Sequence, residues 1–159
     1  MQEIEFWRTA VYHPLSVHFP IVIIILATLF KLLSLFNDKF KSTTQILVGL
    51  ALISTWIAYY TGSQADGEVS RTICDPTVLK NHENFALYLG YIISLIALIE
   101  LNLNLKVLKI SNKWQSNAVL IGLIISCVLL TYVGHLGAEL VYNQAAGVNI
   151  PSEDCQEFE

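Results

Sequence analysis

The chain has 159 residues, enough for one domain, and 54% of them are apolar, which is more than a soluble domain of this size normally carries. Only 14% are charged, the formal net charge is −4 and no basic stripe occurs, so the composition excludes a nucleic-acid-binding protein. The charges are bunched in short segments between long apolar runs, which is typical of a protein that crosses a membrane several times.

Four apolar runs mark the expected membrane spans, at residues 15–36, 46–62, 84–103 and 118–142. Each is near the roughly 20 residues that cross a ~30 Å hydrocarbon core as a helix. None of them alternates with period two, and a strand facing lipid would leave its backbone unpaired. The sequence therefore predicts an all-α fold, an integral membrane four-helix bundle in up-down-up-down order, with a single transmembrane domain over residues 1–159.

Two prolines predict where helices begin. Pro14 suits the first turn of the first helix, so that His13, directly before it, need not be helical. Asp75 followed by Pro76 combines a good N-cap with a first-turn proline. The third helix is therefore expected to begin at Pro76, ahead of its apolar run.

Lysines in the short loops predict the orientation. The loop after the first run carries Lys39 and Lys41, and the loop after the third carries Lys106, Lys109 and Lys113. The opposite side has three basic residues among many acidic ones. The lysine loops are therefore expected to be cytoplasmic, which gives an N-out/C-out topology.

This topology places two cysteines in the same oxidising compartment. Cys74 lies in the loop between the second and third runs, and Cys155 lies in the acidic C-terminal tail. A disulfide between Cys74 and Cys155 is expected, and it would tie the tail over the outer mouth of the bundle. Cys127 lies inside an apolar run and is interpreted as a small packing residue.

Two charged residues, Lys31 and Glu100, lie inside apolar runs near the cytoplasmic ends of their spans. Lysine can extend its ammonium group to the interface, and Glu100 can find water or a lysine there. Both are interpreted as interfacial residues, with a direct pair between them as the alternative.

All four histidines are expected in one thin layer near the outer surface. His13 and His18 stand at the start of the first span, His82 at the start of the third, and His135 about five turns into the fourth. Ionisable groups at membrane depth are costly and usually face the bundle interior or a cavity, so these residues are functional candidates. Anchoring at the interface is the alternative for any single histidine.

Histidines on three helices at one depth are compatible with three kinds of site. The first is a non-covalent b-type haem (heme b), since a four-helix bundle can supply facing imidazoles and no C-x-x-C-H motif for covalent attachment occurs. The second is a zinc or copper centre of a hydrolase or transporter, made from His18, His82 and His135 with Glu83 or Glu139. The third is structural, in a non-catalytic subunit of a membrane complex.

For haem, the axial ligands are expected among His18, His82 and His135, with His13 as a fourth ligand if two haems are bound. The preferred single pair is His18 with His135, because His135 belongs to a polar stripe on one helix face. That stripe consists of Tyr132, His135, Glu139 and Tyr142. Room for the porphyrin is expected at Gly62, Gly90, Gly134 and Gly137.

The segment His13-Pro14-Leu15-Ser16-Val17-His18-Phe19-Pro20, followed by an apolar span, resembles the opening of the domain-of-unknown-function 2231 family of small bacterial membrane proteins. A second segment resembles one near that family's end: Gly134-His135-Leu136-Gly137-Ala138-Glu139-Leu140-Val141-Tyr142. A third similarity to the family is a histidine at the head of the third helix, here His82. The resemblance covers nearly the whole chain and implies a multi-pass protein of the bacterial inner membrane. It also implies work beside an electron-transfer chain, because relatives can be joined to c-type cytochrome or Rieske-type domains.

The function expected from these observations is electron transfer rather than stand-alone enzyme chemistry. The protein is expected to bind b-type haem near the extracytoplasmic surface and to link the quinone pool with periplasmic carriers. Its expected partners are membrane lipid, quinone and a c-type cytochrome or Rieske-type protein.

Overall fold

The computed structural model describes residues 9–148 and contains four long helices in that range. They are α1 (Thr9–Leu33), α2 (Phe40–Val69), α3 (Pro76–Leu105) and α4 (Asn112–Gln144). Each is long and apolar enough to cross a membrane. No strand occurs between residues 9 and 148, so the prediction of an all-α membrane bundle is confirmed.

Consecutive helices pack side by side, and α1 closes the bundle by packing against α4. Short connections make neighbouring helices antiparallel, which is the up-down-up-down order. In the described range, the backbones of the diagonal pairs, α1 with α3 and α2 with α4, do not contact each other. Any direct link between diagonal helices is therefore made by side chains across the bundle axis.

The middle of the bundle is an apolar core to which all four helices contribute. Its buried members recur every three or four residues, because they occupy one face of each helix. They are Ile24, Ala27, Val48, Ala51, Leu89, Ile93, Ile96, Val119 and Leu123. The outer faces also carry many large apolar side chains, and these faces contact lipid.

The third helix begins at Pro76, as the sequence predicts. Asp75 has an extended backbone at the N-cap, and its carboxylate accepts hydrogen bonds from the hydroxyl of Thr77 at 2.6 Å and from its backbone N–H at 2.9 Å. These hydrogen bonds, first the one from the hydroxyl and then the one from the backbone, lower the pKa of the Asp75 carboxyl. The cap therefore holds a charged carboxylate at the helix N-terminus.

The first helix begins earlier than the proline pattern predicts. It starts at Thr9, so His13 is helical, and the expectation that Pro14 lies in the first turn is wrong. Membrane helices tolerate internal proline where Ser or Thr side chains and neighbouring helices satisfy the freed backbone groups. The carbonyl that Pro14 leaves without its helical donor is that of Ala10, and nearby the hydroxyl of Ser16 donates to the carbonyl of His13 at 3.0 Å.

Lys31 and Glu100 form an ion pair inside the bundle, with Nζ of Lys31 2.9 Å from Oε1 of Glu100. Their side chains are 6% and 7% exposed, so the interpretation of both as interfacial residues is wrong and the alternative, a direct pair, is correct. Burial of each charge is compensated by its partner, because attraction is stronger in a low dielectric. Three more polar side chains are buried at this end of the bundle: Ser34, Thr44 and Gln115.

Candidate functional site

His13 on α1 and His82 on α3 meet at the bundle axis, at the end opposite the Lys31–Glu100 pair. Their ring centres are 5.9 Å apart and their planes are inclined by 83°. Because α1 and α3 are diagonal helices, these two side chains bridge the interior of the bundle. The structure thus brings His82 into contact with His13, which the sequence indicated only as a fourth ligand.

Each of these imidazoles is held by a backbone carbonyl of a neighbouring helix. Nδ1 of His13 lies 3.0 Å from the carbonyl oxygen of Ala58 on α2, and Nδ1 of His82 lies 3.0 Å from that of Val133 on α4. A carbonyl only accepts, so Nδ1 is the donor in both cases. A neutral ring of this tautomer keeps its lone pair on Nε2, where it can bind a metal. Neither Nε2 atom takes part in a hydrogen bond with residues 9–148.

Two glycines allow the rings to occupy these positions. A Cβ at Gly62 would lie 2.9 Å from Cε1 of His13, a distance that real Cβ contacts do not reach. A Cβ at Gly137 would lie 3.3 Å from Cε1 of His82, which is also close. The sequence indicated both glycines as space-making residues, and the structure shows which ring each one admits.

A cavity of about 530 Å³ surrounds the two histidines. All four helices and the segment after α4 contribute to its walls, which are mainly apolar. The volume falls within the roughly 300–1,000 Å³ of sites for small molecules and cofactors. Polar side chains that line it include those of His13, His18, Thr55, Asp66, His82 and Glu83.

Thr55 on α2 places an unpaired hydroxyl in this cavity wall. The residue is only 5% exposed, and its Oγ1 has no hydrogen-bond partner within the described part of the chain. Leaving a buried polar group unpaired costs roughly 1–3 kcal/mol. A bound molecule that hydrogen-bonded to Thr55 would remove this cost. Sequence reasoning missed Thr55, whose only signal is a hydroxyl inside an apolar run.

His18 lies at the edge of the same cavity but is exposed. Its Nδ1 donates to the carbonyl of Pro14 in its own helix at 2.6 Å, so the lone pair of the neutral ring is again on Nε2. Five residues separate His18 from His13, which is about 140° around a helix. The two histidines of the opening segment therefore point in different directions.

His135 is exposed and lies outside the cavity that surrounds His13 and His82. It shares a shallow surface depression with Ala138, Glu139, Tyr142 and Asn143. Val133 and Gly137 line the cavity, and a position two residues away is turned by about 200° on a helix. The structure therefore does not bring His18 and His135 together, and the polar stripe around His135 lies on the outside of the bundle.

No three His, Cys, Asp or Glu side chains in residues 9–148 lie close enough together to hold a metal ion. The three-histidine zinc or copper centre is therefore not assembled, and Glu83 forms an ion pair with Lys80 at 2.6 Å. Two imidazoles with available Nε2 atoms fit haem iron better than they fit a zinc or copper centre, because the porphyrin supplies the remaining ligands of the iron. The donor set of this cavity, its apolar walls and its glycine recesses fit a haem group.

Cys74 is exposed in the connection between α2 and α3. Its expected partner, Cys155, lies outside the described residues, so the disulfide stays a prediction. Cys127 packs against the apolar core, and its Sγ lies 3.2 Å from Oγ1 of Thr28. This agrees with the interpretation of Cys127 as a packing residue.

Comparisons with known proteins place this architecture in a family without assigning it an activity. A family model described as a predicted membrane protein, DUF2231, matches residues 10–149. No curated protein and no solved structure matches the chain.

Proposed function

We propose a function for this chain, which belongs to the DUF2231 family of predicted membrane proteins: it is an electron-transfer subunit that binds b-type haem between His13 and His82. One observation carries the proposal. The two imidazoles face a common cavity from diagonal helices, with both Nδ1 atoms engaged and both Nε2 atoms available. His13 and His82 would hold haem b there through their Nε2 atoms, and the group would supply one-electron transfer at its iron.

The separation of the two rings supports this assignment. Imidazole nitrogens bind transition metals at roughly 2 Å, so two rings on opposite sides of one ion have their centres about 6 Å apart. The centres of His13 and His82 are 5.9 Å apart. The separation of the ring centres therefore supports binding of both imidazoles to one metal.

The neighbouring residues orient the two ligands. The carbonyls of Ala58 and Val133 accept from Nδ1 of His13 and His82, which selects the tautomer and makes each Nε2 more basic. Gly62 and Gly137 leave space for the rings, and the apolar walls limit access of water. These contacts hold the two ligands in place before any cofactor binds.

The expected redox partners follow from the predicted topology. The lysine-rich loops lie at the end of the bundle opposite the histidines, and by the positive-inside rule this supports a cavity near the extracytoplasmic surface of a bacterial inner membrane. We propose that the site links the quinone pool with a periplasmic carrier, such as a c-type cytochrome or Rieske-type protein.

The test is an optical spectrum of the detergent-purified protein after haem-replete expression, first air-oxidised and then reduced with dithionite, with metal content measured on the same sample. We expect the sharp Soret and α bands of a b-type cytochrome. His13→Ala and His82→Ala should each lose most of the haem. His135→Ala is the matched control, because this histidine is exposed outside the cavity, and it should keep the full haem content.

Other results would change the assignment in defined ways. A colourless protein that contains copper or zinc, lost in His13→Ala and His82→Ala, would indicate a two-histidine metal site. A protein with neither haem nor metal would indicate a structural subunit. If His135→Ala lost haem while His13→Ala kept it, the ligand assignment would be wrong. Far-ultraviolet circular dichroism of each variant separates these outcomes from misfolding.

A further inference from the structure

The cavity reaches the outer surface of the bundle between α1 and α4. Several residues line the cavity and are at the same time exposed on these two helices, which marks an opening. They are Pro14, His18 and Ile21 on α1, and Gly134, Ala138 and Val141 on α4. Helices α1 and α4 also pack less closely than the other neighbouring pairs. Because these helices cross the membrane, an opening between them faces lipid.

Gly134 places no side chain on the α4 side of this opening. A Cβ built at this position would have no neighbouring atom within 4 Å among the described residues. A larger side chain there therefore has room in the fold, and it would project into the opening. Gly134 differs in this respect from Gly137, one turn later, whose added Cβ would contact the ring of His82.

Two polar groups that line the cavity are not used by the proposed haem ligands. His18 presents an Nε2 acceptor, because its Nδ1 donates to the carbonyl of Pro14. Thr55 presents a buried hydroxyl that has no hydrogen-bond partner within residues 9–148. His18 lies five residues deeper in the membrane than His13, which is about 7.5 Å of helix rise. Thr55 lies three residues deeper than Ala58, whose carbonyl holds His13, and this is about 4.5 Å of helix rise. The two groups thus lie within one helical turn of the same depth.

We propose that a lipid-soluble quinol enters through the opening between α1 and α4 and binds with its two ring hydroxyls at Nε2 of His18 and Oγ1 of Thr55. A quinol hydroxyl donates to an imidazole nitrogen, and the Thr55 hydroxyl can donate to or accept from the second oxygen. The apolar walls match the ring and tail of such a molecule. This inference rests on the proposed function, since an electron-transfer site that opens to lipid requires a lipid-soluble redox partner.

The experiment measures binding of the reduced, quinol form of a decyl-substituted ubiquinone analogue to the full-length protein in lipid nanodiscs, followed by quenching of tryptophan fluorescence. Trp56 directly follows Thr55 and provides a nearby fluorophore. We expect saturable quenching by the wild-type protein. Thr55→Val and His18→Ala should each weaken binding about five- to tenfold, because each removes one hydrogen bond. Gly134→Leu should abolish saturable binding, and His135→Ala should leave it unchanged.

A second measurement tests whether the Thr55→Val variant folds normally. Its thermal midpoint without quinol should equal or exceed that of the wild type, because the substitution removes an unpaired buried hydroxyl. A lowered midpoint would show that this hydroxyl already has a structural partner and would overturn its proposed role.

Failure of this inference is distinguishable from failure of the proposed function. Absence of saturable binding, or equal affinity in Thr55→Val, His18→Ala and Gly134→Leu, would overturn the quinol site even if the haem spectrum is present. Saturable binding that depends on these residues in a colourless protein would support the quinol site and remove haem from the proposed function.

Discussion

Lys31 and Glu100 join α1 to α3 at one end of the bundle, as His13 and His82 do at the other. Nζ of Lys31 lies 2.9 Å from Oε1 of Glu100, and the two imidazole centres are 5.9 Å apart. Eighteen residues, or five turns of 3.6 residues, separate His13 from Lys31 and also His82 from Glu100. Each of these helices therefore carries both of its polar groups on one inward face, and the two faces meet across the bundle axis.

Removing one member of the buried ion pair should destabilise the bundle strongly. In Lys31→Met the carboxylate of Glu100 stays inside the bundle without its cation, so the free energy of unfolding should fall by about 3–5 kcal/mol. The double variant Lys31→Met/Glu100→Gln should recover much of this loss, because no unpaired charge remains. Reversible denaturation in detergent, followed by circular dichroism, measures both changes.

An exposed ion pair provides the control for that experiment. Lys41 and Asp38 lie 2.8 Å apart with side chains 59% and 85% exposed, and an exposed pair contributes only about 0–1 kcal/mol. Lys41→Met should therefore change the free energy of unfolding little. If the free energy of unfolding fell equally in Lys31→Met and in the double variant, the unpaired charge of Glu100 would not be the cause of the loss.

Gly62→Ala should displace the ring of His13. The added Cβ would lie 2.9 Å from Cε1 and 3.0 Å from Nδ1, so the ring must move away from the carbonyl of Ala58. The variant should retain less haem per chain and melt at a lower temperature than the wild type. Absorbance of the purified protein and its thermal midpoint measure the two effects.

Gly67→Ala is the matched control for this substitution. Gly67 belongs to the same helix, but an added Cβ there has no neighbour within 4 Å. Alanine favours the helix by about 1 kcal/mol over glycine, so this variant should keep its haem and melt at the same or a higher temperature. Equal haem loss in both variants would contradict the proposed role of Gly62.

The N-cap of α3 should make stability depend on acidic pH. The pKa of Asp75 is lower in the folded protein than its ordinary value of 3.8, because the hydroxyl and backbone N–H of Thr77 donate to the carboxylate. The stabilisation is present above that ordinary value and is lost as pH falls through the lowered native value. The stability of the wild type and of Asp75→Ala should therefore differ at pH 6, and the difference should shrink as the pH falls below 3.8. A difference that stays the same across this range would contradict a charged cap.

The expected Cys74–Cys155 disulfide is tested by electrophoresis of protein purified without reductant. Dithiothreitol should change the mobility of the wild-type chain, because reduction releases the C-terminal tail. The change should be absent in Cys74→Ser and present in Cys127→Ser, since Cys127 packs against the core. A wild-type chain whose mobility and intact mass do not respond to reductant would show that both thiols are free.

The preference for His135 illustrates why a polar pattern on one helix does not locate a site. Tyr132, Glu139 and Tyr142 recur with His135 at helical spacing, and the sequence indicates one polar face. Val133, Leu136 and Leu140 are buried, so they occupy the inward face of α4 and direct His135 outward. In a membrane bundle the polar side of a helix need not face the interior when a surface near the headgroups can accept it.

The sequence by itself determined the number of helices, their membrane-spanning character and the start of α3, because bilayer thickness, hydropathy and capping act locally on consecutive residues. The tertiary structure alone decided which polar residues meet. The eighteen-residue spacing from His13 to Lys31 and from His82 to Glu100 is visible in the sequence. It shows that both polar residues of a helix lie on the same face, but it does not show which way that face turns in the bundle. Which faces turn toward each other depends on the packing of four helices together, since a rotation of one helix by half a turn replaces an inward histidine with an outward one.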